Sequence, residues 1–166
     1  MSRSRTARLK AARALVLTPH QLAAIVRHAE AAYPDEACGL LVGERKRMGV
    51  LAVTRAVESR NLARGNRRDS FEVDPALRFG LERELRGTRE AIIGHYHSHP
   101  DHPARPSPRD VAQAYEPDFA WLIVGVEQGE ASTCAAFQLD GEARAGNRLE
   151  LRINDSAPKR KQHRGA

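Results

Sequence analysis

The chain has 166 residues, 41% of them hydrophobic and 29% charged, with 27 basic against 21 acidic side chains and a formal charge of +6. That length suits one domain with a core of its own, which needs no disulfide or structural metal to hold it together. No apolar run approaches the ~18 residues of a membrane-spanning helix. The two cysteines, Cys38 and Cys134, lie apart in apolar runs rather than as a Cys-x-x-Cys pair, which fits reduced, buried thiols in a cytoplasmic protein.

The charge belongs to the ends. Residues 1–13 carry Arg3, Arg5, Arg8, Lys10 and Arg13, residues 156–166 carry Lys159, Arg160, Lys161 and Arg164, and neither segment holds an acid. The remaining 18 basic and 21 acidic residues leave the middle of the chain near −3. Residues 1–13 and 155–166 therefore read as disordered basic tails around a single domain over 14–154. Binding of nucleic acid or an acidic partner is the other use of such tails, but no aromatic residues interleave the basic ones to stack on bases. The start imitates a signal peptide, since Ala14-Leu15-Val16-Leu17 follows the arginines. Thr18-Pro19-His20 closes that apolar stretch too soon, so a tail leading into a first strand is expected.

After a strand at Ala14–Leu17, Thr18 is placed as an N-cap with Pro19 at N1 and Gln21 at N3 of a helix to about Ala32. Leu22, Ile25, Val26 and Ala29 form its buried stripe, and His20 and His28 fall at solvated positions. Tyr33-Pro34-Asp35 breaks this helix and delivers Glu36 to the mouth of a buried central strand, Cys38–Gly43. Met48–Val57 pairs with that strand across the turn Glu44–Arg47. A polar loop, Ser59–Ser70, holds Arg64, Arg67 and Arg68 as candidate contacts for acidic groups. Phe71–Val73 is predicted as a short strand, and Asp74-Pro75 opens a helix through Arg86 with Leu77, Leu81 and Leu85 on one face. Ala91–Ser98 is the next strand, terminated by Pro100, and the proline-rich loop Asp101–Pro106 leads to a short helix, Pro108–Tyr115. Strands at Phe119–Val126 and Thr133–Leu139 flank the turn Gln128-Gly129-Glu130, and Leu149–Ile153 adds an edge strand. Strands interleaved with three helices indicate an α/β domain whose sheet is covered by helices.

The chemistry concentrates in Ile92–Asp110, IIGHYHSHPDHPARPSPRD. On a strand, His97 and His99 point to one face about 6–7 Å apart along the chain, so two imidazoles can converge on one ion. Asp110, at the start of the next helix, offers a third ligand and leaves a fourth tetrahedral position for water, the pattern of a catalytic zinc site. A plainer reading uses the same residues. His95, His97 and His99 alternate as three polar positions on the solvent face of a strand would, and Ser107, Pro108 and Asp110 suit the N-cap, N1 and N3 positions of any helix. His95 also remains a rival ligand on geometry alone.

The wider pattern bears on that choice. His97-Ser98-His99, seven residues, Ser107, two residues and Asp110, with Glu36 upstream in Glu36-Ala37-Cys38-Gly39-Leu40-Leu41-Val42-Gly43, resembles the JAMM motif of the MPN-plus metallopeptidases, in a compact bacterial form. The resemblance implies a curved mixed β-sheet flanked by helices, similar to cytidine deaminase. It implies Zn2+ held by His97, His99 and Asp110, with Glu36 as general base toward water and Ser107 as donor to the oxyanion. It also implies a ubiquitin-like or sulfur-carrier (ThiS/MoaD-type) protein as substrate, cut after its C-terminal Gly-Gly, with the Ser59–Ser70 region bordering the groove for its tail. Two alternatives stand beside it: an inactive MPN scaffold, although such relatives lack part of the ligand set that is complete here, and a nucleic-acid-associated protein acting through its tails. A zinc deaminase would need a His-x-Glu and Pro-Cys-x-x-Cys signature that is absent.

Overall fold

The computed structural model describes residues 11–139 and 146–155. Among them the elements run β1 (Ala14–Leu17), α1 (Pro19–Ala32), β2 (Cys38–Arg45), β3 (Val50–Ser59), α2 (Pro75–Glu84), β4 (Ala91–Pro100), α3 (Pro108–Ala112), β5 (Ala120–Glu127), β6 (Glu130–Gln138) and β7 (Asn147–Ile153). Most of the expected basic tails, residues 1–10 and 156–166, lies outside the described residues. Arg13, counted above with the first tail, is tied to the domain: its N–H donates to Gly49 at 2.8 Å and its carbonyl accepts from Glu150 at 2.8 Å.

The mixed sheet curves until it closes, with strand order β1-β3-β2-β4-β5-β6-β7 around a barrel. The predicted edge strand is in fact the closing one. β7 pairs antiparallel with β6 and parallel with β1, where Ala14 lies opposite Glu150 and Leu17 opposite Ile153. The short apolar β1, whose Ala14, Leu15 and Leu17 are fully buried, thus has its backbone satisfied on both sides. Phe71–Val73 does not form a strand: one isolated bridge joins Asn61 to Val73, and the Glu72 N–H donates to the Asn61 side chain instead of a neighbouring strand. α3 stops at Ala112, short of the expected Tyr115: the Ala114 N–H donates to the Val111 carbonyl at 3.3 Å and the Tyr115 N–H to the Gln113 carbonyl at 2.9 Å, so the chain leaves the helix in tighter turns.

α1 begins as its sequence dictates. The Thr18 hydroxyl accepts from the Gln21 N–H at 3.2 Å, the Gln21 side-chain Oε1 accepts from the Thr18 N–H at 2.9 Å, and Pro19 occupies the first turn. Ile25 and Ala29 face the sheet and join Leu15, Leu41, Val53, Ile93, Leu122 and Val124 in the main core. The other face of the sheet packs in two smaller clusters, one joining Leu40 and Val42 to Leu81 and Leu85 near α2, the other joining Trp121 and Ile123 to Ala114 and Phe137 near α3.

A β-bulge decides which way the histidines point. Leu41 is paired with Gly94 but Val42 with Ile92, so Ile93 is an extra residue in β4. Strict alternation would put Ile93 on the face of His95 and His97; the bulge instead turns Ile93 into the main core, together with Tyr96. His95 and His97 face Phe71 and Trp121 on the opposite side. The Tyr96 ring crosses β2 at Gly39, where a Cβ would lie 2.3 Å from the ring, and its hydroxyl meets His28 Nδ1 at 2.8 Å. His28 is therefore half-buried and engaged, not simply solvated.

Candidate metal centre and active site

β4 and α3 bring the three candidate ligands together. His97 Nε2 lies 2.9 Å from His99 Nε2, and each faces an Asp110 oxygen at 3.3 Å. All three side chains are buried, at 0%, 6% and 4% exposure. Donor atoms about 2.0–2.1 Å from a tetrahedral zinc ion stand roughly 3.3 Å from one another, so these separations match three corners of such a site. His95 is not part of the group: the cluster able to share one ion consists of His97, His99 and Asp110.

Hydrogen bonds orient His99 and Asp110, and ring stacking orients His97. His99 Nδ1 donates to the Pro103 carbonyl at 3.0 Å, which leaves the Nε2 lone pair facing His97 and Asp110. Asp110 is the N3 residue of α3, where its Oδ2 accepts from the Ser107 N–H at 2.7 Å while Ser107 Oγ accepts from the Asp110 N–H at 3.1 Å. The capping box that starts the helix therefore also aims the carboxylate. Phe71 stacks on the His97 ring with centroids 4.4 Å apart and holds it from the other side.

The electrostatics suit a cation. Burial works to raise the Asp110 pKa, but the two imidazoles and the Ser107 N–H reverse that effect and hold the group well below the usual carboxylate range. Burial lowers the His97 pKa, against the opposing pull of Asp110. His95 is pushed down to about 3, by burial first and then by His97, and is a neutral ring packed 4.2 Å from Trp121. Two imidazoles and a carboxylate held ionised in a buried space form the donor set of a divalent metal, and His97, His99 and Asp110 are the residues that could hold one.

Glu36 is set beside this cluster by backbone anchors. Its N–H donates to the Arg67 carbonyl at 2.7 Å and its own carbonyl accepts from the Asn61 amide at 3.0 Å. The neighbouring Ala37 N–H donates to Ser98 Oγ at 2.8 Å, with the Ser98 N–H returning to the Ala37 carbonyl at 3.0 Å. Asn61 and Ser98 escaped the sequence reading. Ser98 stands between the ligand histidines and must point away from them, a signal visible only once β2 is known to lie beside β4. Glu36 is itself buried, and burial, with help from the charges of Asp110 and Asp69, raises its pKa to about 9. Cancelling the Asp110 charge would lower that value toward the neutral range where a general base works best.

Glu36, His99 and Ser107 border one cavity of about 440 Å3. Ser107 Oγ uses a lone pair to cap α3, so its hydroxyl proton stays available to a group in that cavity. Arg67, one of the loop arginines, instead donates to the Ala63 carbonyl at 3.3 Å and Arg64 is exposed. Cys38 is buried and Cys134 half-buried, and both are free. The Cys38 thiol, pushed up to about 12 mainly by burial, turns to the carbonyls of Arg60 and Glu72.

The profile described as prokaryotic homologs of the JAB domain matches residues 18–140. The chain is similar to the CysO-cysteine peptidase of Mycobacterium tuberculosis, 32% identical over 110 residues that cover 66% of this chain and 72% of the relative. It is also similar to the desampylase of Haloferax volcanii, 31% identical over 90 residues, 54% of this chain and 62% of the other. The solution structure of a Desulfitobacterium hafniense protein superposes with a TM-score of 0.73 at 29% identity, covering 87% of this chain and 95% of that one. No helix among the described residues is long and apolar enough to cross a membrane. From the buried His97–His99–Asp110 cluster, the barrel that carries it and the matched span, the chain belongs to the prokaryotic JAB-domain family.

Proposed function

We propose that the protein is a zinc-dependent hydrolase that cuts the amide bond following the C-terminal Gly-Gly of a ubiquitin-like or sulfur-carrier protein of the ThiS/MoaD type. The observation that carries this reading is one cavity bordered at once by the candidate ligand His99, the buried Glu36 and Ser107. The relatives named CysO-cysteine peptidase and desampylase support the reaction class.

Zinc at His97, His99 and Asp110 supplies Lewis-acid polarisation of the scissile carbonyl and a lowered pKa for water. Glu36 accepts a proton from the attacking water and hands it to the departing amine as the C–N bond breaks. The Ser107 hydroxyl donates to the carbonyl oxygen as negative charge develops there, and the Asp110–Ser107 capping box keeps donor and ligand in fixed relation. Buried imidazoles and the Phe71 ring exclude bulk water from one side of the reaction.

The test is direct. A ThiS-type carrier extended beyond its Gly-Gly by one cysteine is incubated with zinc-loaded protein, and release of the cysteine is followed by mass. Release that stops with a chelator, returns with zinc and is lost in Glu36→Ala with zinc content intact is the expected result. Full activity in that variant rejects Glu36 as the base, and an intact carrier rejects the reaction.

A further inference from the structure

We infer that Arg105 forms a receptor for the α-carboxylate of a single amino acid leaving from the cut bond, so that the site prefers a free amino acid extension over a longer chain or a side-chain amine. The inference rests on the hydrolase reading above and adds the chemistry of the leaving group.

Three observations lead to Arg105. First, the cavity shared by Glu36, His99 and Ser107 opens to solvent between His102, Arg105 and Arg109. The departing amine must lie beside Glu36 to take its proton, so whatever is attached to that amine extends toward this mouth. Second, the cations there are not equivalent. Arg109 donates to the Asp69 carbonyl at 3.2 Å and faces its carboxylate at 3.4 Å, whereas the Arg105 guanidinium has no hydrogen-bond or ion-pair partner among the described residues. A planar fork with no acid beside it is matched to a carboxylate, which it can hold through two parallel N–H donors. Third, Arg105 is tied to the metal ligands through one atom. The Pro103 carbonyl accepts from His99 Nδ1 at 3.0 Å and from the Arg105 N–H at 2.8 Å. Pro103 and Pro106 restrict the backbone on either side, so the Cα from which the exposed guanidinium reaches is anchored beside the cluster. At about 440 Å3 the cavity has the size of a small-molecule site and is far too small for a folded partner.

The experiment compares three carriers with zinc-loaded protein: Gly-Gly followed by one amino acid as the free acid, the same as its primary amide, and the same extended by a second residue. The expected kcat/KM for the free acid exceeds that for the amide by about tenfold or more, carried mainly by KM, as loss of one charge-assisted contact predicts. Arg105→Gln brings the acid-to-amide ratio near one, and Arg105→Lys restores part of it. Equal cleavage of acid and amide by the unaltered protein, or an unchanged ratio in Arg105→Gln, overturns the inference while leaving the hydrolase reading intact. A separate readout needs no turnover: in NMR titrations, the free amino acid shifts the Arg105 Nε–H resonance and its amide does not. If no carrier is cut, the hydrolase reading fails, and this titration still decides whether Arg105 receives a carboxylate.

Discussion

Two helix starts in this molecule use the same local grammar to different ends. Thr18-Pro19-His20-Gln21 and Ser107-Pro108-Arg109-Asp110 are both capping boxes with proline at N1, and each closes the same reciprocal pair of hydrogen bonds. At α1 the N3 side chain finishes its work on structure, since the Gln21 amide donates onward to the Val53 carbonyl at 3.2 Å. At α3 the N3 side chain faces two imidazoles at 3.3 Å. α1 is fourteen residues long and stabilised by its apolar face, whereas α3 has five residues and little packing of its own. The shorter helix serves chiefly to fix a carboxylate, and a cap is a cheap way to do it because Oδ2 and the backbone N–H of Asp110 are both pinned by local bonds to Ser107.

The comparison breaks hardest at the N3 residues themselves. Asp110→Asn removes the charge that draws a cation to the cluster, so zinc retained after dialysis should fall below about one-tenth of one equivalent and hydrolysis with it. Gln21→Ala, its counterpart, should leave zinc content untouched and cost about 1 kcal/mol of stability. Metal analysis alongside thermal unfolding checks both. Equal metal loss in the two variants would show that global unfolding, not ligation, releases the ion.

Glu36 gives the next largest effect and has no counterpart at α1. Glu36→Gln should lower kcat by about 10²–10⁴-fold with zinc retained. It should also change the stability profile of the metal-free protein. The folded state holds a proton up to about pH 9 that the unfolded chain releases near its ordinary value of 4.5. The unfolded chain thus binds fewer protons between those limits, and stability is full below about 4.5 and falls as pH rises to about 9. Glu36→Gln should flatten that fall and be more stable at pH 7 by roughly 1–3 kcal/mol. Urea unfolding at pH 5 and pH 8 reads the difference; identical slopes in both proteins would mean the carboxyl is solvated.

The caps themselves come third. Ser107→Ala and Thr18→Ala should each cost about 1 kcal/mol as lost N-caps. Ser107→Ala should in addition lower kcat by about 10²–10³-fold if its free proton meets the oxyanion. Loss of stability without loss of kcat would reduce Ser107 to the structural role that Thr18 plays.

Why some of this was legible in the sequence and some not follows from range. Both capping boxes, the Pro19 and Pro108 positions and the alternation of His97 with His99 are local, and each appears in the structure where the spacing puts it. The same holds for β2 and for the stripe of α1, whose Ile25 and Ala29 are buried as periodicity requires. Long-range facts were silent. Closure by β7 depends on its pairing with β1, more than a hundred residues away, and nothing in Leu149–Ile153 marks it as other than an edge. The bulge at Ile93 is flanked by Gly94, a glycine inside a strand that hints at such a feature, but that Ile93 is the extra residue is visible only in the register against β2. Asn61 reads as one more polar loop residue until its amide is seen bridging the Glu36 and Ser70 carbonyls. The candidate ligands could be picked out locally, but the residues that anchor Glu36 could not.

The smallest expected effect bears on the sharpest ambiguity in the sequence, the choice among three alternating histidines. His95 shares a face with His97, with ring centroids 5.9 Å apart, yet it has no carboxylate opposite and lies between Phe71 and Trp121. Its Nδ1 is buried with no hydrogen-bond partner among the described residues, and the ring is neutral because burial holds its pKa near 3. A neutral ring with an unsatisfied nitrogen among aromatics contributes chiefly its shape. His95→Phe should therefore keep one equivalent of zinc and unfold within about 1 kcal/mol of the unaltered protein, since replacing an unpaired polar group by an apolar one of similar form is close to neutral. Zinc loss in His95→Phe, with the fold intact by circular dichroism, would move the metal one step back along β4. The Asp110 carboxylate would then be too far along the strand to join it, and α3 would be a cap like that of α1.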